Sequence, residues 1–170
     1  MIKPVILATC LAIFLAMNIG SAIAQGAQVP FIGLKLAANS TVDISADSLS
    51  IDQESGMAVF SGNVVVGIEN MRLSADWVEV VYATGTGGGA GRISGLIATG
   101  NVVFSNGEEA AEADVANLDL DVGVIVMTGN VILTQGQNAL SGQSLRIDLN
   151  TGTALIEGRV QTIFQTGGDE

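Results

Sequence analysis

The chain has 170 residues, enough for one domain, and carries a net charge of -11 with no histidine. The charge argues against nucleic acid as a partner, because phosphate binding needs clustered Lys and Arg. The missing histidine removes the commonest general base and metal ligand.

Hydrophobic residues make up 48% of the chain but aromatic ones only 4%, so the apolar content is mostly Val, Ile, Leu and Ala. With Gly at 22 and Pro at 2, this composition suits strands joined by many turns. An amphiphile held mainly by its hydrocarbon chains remains compatible with the acidic balance.

Residues 1–24 read as a cleavable signal peptide. Lys3 is a short basic start, and Val5 to Ile19 is an apolar core. Ala22-Ile23-Ala24 then supplies small residues for cleavage before Gln25. Cys10, the only cysteine, lies in this segment and too early for lipoprotein processing. Loss of Lys3 would leave 5 basic and 17 acidic residues, a net charge of -12. Such an exported chain is held by its core and not by disulfides.

Residues 25–40 form a lead-in with weak periodicity, and Pro30 disfavours a helix there. Strand-like alternation begins over Thr41 to Ser45. A β domain is expected over 41–165, with a disordered tail at 166–170.

Within that domain a phrase recurs: Gly62-Asn63-Val64, Gly100-Asn101-Val102 and Gly129-Asn130-Val131, with Gly158-Arg159-Val160 as a degenerate fourth copy. The units opening at Ala46, Ala113 and Gly142 each reach their Gly after 16 positions. The second unit opens at Ala75 and reaches Gly100 after 25 positions, its extra residues coinciding with the Gly-rich stretch Thr84 to Gly91. Each unit reads as a two-stranded hairpin, and such repetition marks a structure built from stacked supersecondary units.

Strand side chains alternate faces. The phrase-bearing runs place Ala58, Phe60, Val64 and Val66 on one face, then Leu96, Val102 and Phe104. Ile125, Met127, Val131 and Leu133 follow, then Ile156 and Val160. The opening runs add Leu49 and Ile51, Val78 and Val80, Leu118, and Leu145 and Ile147. This apolar face either closes as a dry core or lines an elongated groove. The Gly of each phrase falls on the same face, where it suits a bend or bulge.

Catalytic readings fare poorly. Gly85 to Ala90 formally matches a dinucleotide fingerprint, but a strand-like run follows where a helix is required. The aspartates recur at matching repeat positions, as turn residues do, whereas a catalytic pair would occupy singular positions. The Gly-rich stretch lacks the Asp of a calcium β-roll. Without histidine no Ser-His triad can form. No enzyme, cofactor or metal site is expected.

Val59 to Val66 (VFSGNVVV), preceded by Ala46 to Asp52 (ADSLSID) and followed by Met71 to Val80 (MRLSADWVEV), resembles the periplasmic lipopolysaccharide-transport family, LptA/OstA-like. The similarity covers roughly Val42 to Phe164. It implies an all-β fold in which repeated antiparallel hairpins form an open, V-shaped incomplete jelly roll. It further implies a periplasmic carrier or bridge that shields lipid A acyl chains of lipopolysaccharide between its inner walls. The residues named on the apolar face would then line the lipid-binding groove. Implied partners are an inner-membrane export complex and an outer-membrane translocon, met through terminal strand edges, with head-to-tail homo-oligomers.

The Gly-rich insertion at 84–91 and the scarcity of basic residues depart from the family pattern. Two alternatives stand beside this reading. One is a membrane-anchored partner of the same fold that keeps residues 1–24. The other is a short β-solenoid of adhesin type.

Overall fold

Runs that alternate Val, Ile or Leu with Ser, Thr or Asn pair best as half-buried strands. A computed structural model describes residues 26–31, 40–52, 57–83 and 92–164, and those runs are strands there. They are β1 (Ala27–Pro30), β2 (Val42–Ser45), β3 (Ser48–Ile51), β4 (Ala58–Ile68), β5 (Met71–Tyr82) and β6 (Ile93–Ser105). β7 (Glu109–Asp119), β8 (Val124–Gln135), β9 (Asn138–Asp148), β10 (Thr153–Glu157) and β11 (Gln161–Ile163) complete the set. No helix occurs among the described residues.

The strands form one antiparallel sheet in the order β1-β10-β9-β8-β7-β6-β5-β4-β2. From β4 to β10 each strand pairs with its neighbour in the chain, so the sheet is a meander. β2 and β3 lie along successive halves of β4 at one edge. β10 and β11 do the same along β9 at the other edge. The sheet does not close on itself, as expected for an open all-β fold. The four sequence units are the hairpins β3–β4, β5–β6, β7–β8 and β9–β10.

The sheet bends at the recurring phrase, carried by β4, β6 and β8. Gly62-Asn63 lie opposite the single residue Asp76, and the register slips by one between Ser61 and Val64. The same slip recurs between Thr99 and Val102 and between Thr128 and Val131. Two residues opposing one is a β-bulge. Both bulge residues are left-handed: φ is 79° and 45° at Gly62-Asn63, 81° and 46° at Gly100-Asn101, and 80° and 48° at Gly129-Asn130. The degenerate copy keeps this backbone, with 82° at Gly158 and 51° at Arg159.

The Asn side chain locks the bend. Asn63, Asn101 and Asn130 donate Nδ2–H to the carboxylates of Asp47, Asp76 and Asp114 at 2.8, 2.8 and 2.9 Å. Asp47, Asp76 and Asp114 therefore anchor bulges, while the recurring Asp119 and Asp148 accept from backbone N–H groups in turns. The glycine does not face the core, as simple alternation would have it. A Cβ on Gly62 would lie 2.9 Å from Asp47 Cβ, so only glycine fits beside the anchoring aspartate.

The aligned bulges fold the sheet into two walls. One wall ends in the turns at 69–70, 106–108 and 136–137, the other in those at 120–123 and 149–152. Val66, Ile68, Met71, Leu73 and Phe104 of the first wall meet Leu118, Ile125 and Leu149 of the second. The core lies between the walls, and Val64, Val78, Leu96, Met127, Leu133, Leu145 and Ile156 are fully buried in it.

The lead-in contributes more than its weak periodicity suggests. β1 pairs with β10, from Ala27 opposite Ile156 to Pro30 opposite Thr153. Pro30 is tolerated because β1 lies at a sheet edge and ends there. The leader (1–24), the Gly-rich stretch (84–91) and the tail (166–170) lie outside the described residues. Tyr82 and Ile93, flanking the Gly-rich stretch, pair across a hairpin. The strand β6 follows it, where a phosphate-binding loop needs a helix.

Candidate functional site

The inner face is built from rows of directly opposed residues, and opposed residues share a face. One row on the second wall runs Leu49, Phe60, Val78, Ala98, Ala116, Met127, Leu145, Ile156. A parallel row runs Ile51, Ala58, Val80, Leu96, Leu118, Ile125, Ile147, Ala154. The first wall answers with Ile44, Val66, Leu73, Phe104, Ala111, Leu133, Leu140. Val64, Val102 and Val131, just past each bulge, fill the inside of the bend and are buried.

Of the residues named for the groove, Ala58, Val66, Val80, Leu96, Phe104, Leu118, Ile125, Met127, Leu133, Leu145, Ile147 and Ile156 are buried together. Phe60 and Val160 are half-buried against this cluster. Leu49 and Ile51 lie on the same face but are 50% and 62% exposed. The reason is positional. They sit on the inner face of the edge strand β3, beyond which the sheet ends, so alternation gives their face but not cover. The apolar face therefore runs out to solvent at this edge.

Alternation missed part of the inner face. On β5 the buried residues are Met71, Leu73 and Ala75, then Val78 and Val80, so the inward parity flips at Asp76-Trp77. β7 flips at Asp114-Val115 and β9 at Gln143-Ser144. The bulge's extra residue lies on the phrase-bearing strand, so the partner strand must change parity to keep its apolar side chains inward.

The walls meet closely where their outer halves face each other. The cavity bounded by Met71, Phe104, Leu118 and Leu149 holds about 10 Å³, at the lower limit for a single water. Its outer slit is closed by the lead-in. Phe31 is fully buried and stacks on Phe104, with ring centroids 6.2 Å apart. Its backbone N–H donates to Gly152 O at 2.9 Å on the second wall. Pro30 O accepts from Gln135 Nε2 at 2.7 Å on the first wall. The same amide nitrogen donates to Glu109 Oε1 at 2.7 Å, and Asn106 Nδ2 donates to Glu109 Oε2 at 3.1 Å. These bonds compensate the burial of Glu109, which is only 7% exposed.

Among the described residues Glu109 is the one buried charged group; the others keep to the outside and the turns. Arg92 pairs with Asp121, both partly exposed, and the hydrogen bond it donates to that carboxylate raises the guanidinium's already high pKa. Asp148 Oδ1 accepts from the N–H groups of Asn150 at 2.8 Å and Thr151 at 3.0 Å. These backbone bonds, that from Thr151 foremost, hold its pKa below the usual carboxylate value.

A depressed carboxylate pKa contributes stability above the unfolded-state value of about 3.9. That contribution is lost as pH falls through the folded value. Asp148→Ala should melt at a lower temperature than the parent at pH 7. The gap should shrink as pH falls below 4. A gap that is constant from pH 7 to pH 2.5 would show that the turn does not depend on the charge.

Asp47, Asp76 and Asp114 are spent on bulges, and Asp119 and Asp148 on turns. What the fold offers is a continuous apolar inner face between two hinged walls. A family profile described as LptA/(LptD N-terminal domain) LPS transport protein matches residues 43–153. The chain belongs to this family. Its role is thus in lipopolysaccharide transport, and the family is one of transport proteins, not enzymes.

The fold is similar to the crystal structure of LptH from Pseudomonas aeruginosa, described as the LptA homologous periplasmic component of the conserved lipopolysaccharide transport device. The TM-score is 0.64 at 15% identity, over 74% of this chain and 95% of that one. No curated protein matches the sequence. The antiparallel meander of this LptA-family fold is also not the parallel stacking of a β-helix, which sets the solenoid reading aside.

Proposed function

We propose that this LptA-family protein is a periplasmic carrier that shields the acyl chains of lipid A between its two walls. The observation that carries the reading is the inner face itself. It is apolar across every strand from β3 to β10, and it reaches solvent at Leu49 and Ile51. Removing one methylene from water is worth about 0.8 kcal/mol, so a 12- to 14-carbon chain gains on the order of 10 kcal/mol from such cover. A lipid with several chains cannot cross an aqueous space without it.

The leader, cleaved before Gln25, would deliver the chain to the periplasm. The edges suit assembly into a bridge between an inner-membrane export complex and an outer-membrane translocon. β3 is exposed along its length at one end, and β11 is exposed at the other, with Ile163 69% and Phe164 67% accessible. Unpaired edge strands add partners by β-augmentation, here a second copy head to tail.

A photo-crosslinker in place of Phe60 tests the interior directly. In cells it should attach covalently to lipopolysaccharide. The same probe at Trp77, adjacent to Phe60's cross-strand partner Val78 but 55% exposed on the outer face, should not. Equal labelling at both positions, or none at Phe60, sinks the assignment.

A further inference from the structure

Two facts about the interior pull against each other. The inner face is apolar throughout, yet its core residues are buried against one another, and the cavity bounded by Met71, Phe104, Leu118 and Leu149 is near 10 Å³. No acyl chain fits there unless the walls part. The feature that joins the walls across their outer slit is the lead-in strand β1 with Phe31.

The joint has contacts on both sides. On the second wall, β1 pairs with β10 over four residues, and Phe31 N–H bonds Gly152 O. On the first wall, the Phe31 ring stacks on Phe104, and Gln135 bonds Pro30 O. β1 has only a four-residue ladder at an edge, where strands open with least loss of protected structure. The bulges of β4, β6 and β8 line up across the sheet, so the walls meet at one row of bends and fasten at the opposite side.

We propose that β1 and Phe31 are an intramolecular clasp that holds the interior closed, and that acyl chains are admitted only when β1 peels away from β10 and draws Phe31 off the first wall. This rests on the reading that the interior takes acyl chains. The closed form is then the resting state, and lipid uptake competes with the seating of Phe31. A site that is competent in only a fraction of molecules binds more weakly by that fraction.

A disulfide staple tests it. Gln28 and Leu155 are directly opposed on β1 and β10. Directly opposed antiparallel residues lie about 4.5–5.5 Å apart at Cα, within disulfide reach. In a Cys10→Ala background, Gln28→Cys with Leu155→Cys locks the clasp under oxidising conditions and frees it on reduction. A second staple, Arg146→Cys with Leu155→Cys, joins β9 to β10, which need not separate. The probe is a 12-carbon fatty acid carrying an environment-sensitive fluorophore, added to protein purified after expression of the full chain.

The oxidised clasp staple should take up the probe at least about tenfold less well than its reduced form. The β9–β10 staple should show no such difference. Phe31→Ala, which removes the seated ring, should bind more tightly than the parent. Equal uptake by the oxidised and reduced clasp staples overturns the clasp and leaves the interior reading standing. So does an equal loss in both staples. No uptake by the parent, by Phe31→Ala or by any reduced form overturns the interior reading and the clasp with it.

Discussion

Gly129→Val is expected to destabilise the protein by on the order of 3–4 kcal/mol. Two effects add. The residue has a φ of 80°, where a β-branched side chain is a true outlier costing about 1–3 kcal/mol. A Cβ there would also lie 2.8 Å from the Asp114 Cβ. Asp114 cannot withdraw without breaking its bond to Asn130. Gly136→Val is the control, because it too has positive φ, at 58°, but nothing within 4 Å of the added carbon. In urea the Gly129 variant should unfold at a midpoint lower by about 1–4 M, given the usual slope for a small domain. If both variants lose the same stability, the anchored bulge is not what shapes the sheet.

Met127→Asp should prevent folding outright. Met127 is fully buried in the row between Ala116 and Leu145. An unpaired carboxylate there would cost more than about 4 kcal/mol, a large part of a typical domain's stability. Met127→Leu conserves volume and should cost less than about 1.5 kcal/mol. Val126→Asp, one position away and facing out beside Arg146, should fold. Circular dichroism and thermal melts separate the three. A folded Met127→Asp protein would mean that the walls are not packed as they stand here, and that water reaches the interior unaided.

Which of these effects sequence alone could foresee depends on the strand. On β4, β6 and β8 the two left-handed residues of the bulge leave parity intact, so alternation places Val64, Val102 and Val131 inward. On β5, β7 and β9 parity flips opposite the bulge. A reading anchored on Val78, Ala116 or Leu145 therefore assigns Met71, Leu73, Ala111 and Leu140 to the wrong face. The signal was present: Met71, Leu73 and Ala75 alternate cleanly, and the phase breaks at Asp76.

Other features had weaker signals. The constant 16-residue offset from Ala46 to Gly62 also places Asp47 16 residues before Asn63, and Asp114 precedes Asn130 by the same interval. That spacing gave the partners of the bulge but not their hydrogen bond. Phe31 was illegible, because it follows a proline, lacks alternation and is recruited by residues far along the chain. Leu49 and Ile51 were placed on the right face, but exposure depends on where a sheet stops, which periodicity does not encode.

The bulge row has a consequence for how such a chain can change over generations. Successive bends recur in every second strand, at residues 100, 129 and 158 with spacings of 29 after the second unit. A whole hairpin could be duplicated or deleted in register, and its bend would still meet its neighbours' bends. Each duplication would lengthen the interior by two strand spacings, about 9.6 Å, without altering its cross-section. Capacity in this architecture is therefore quantised, set by how many hairpins are counted out before the edges are reached.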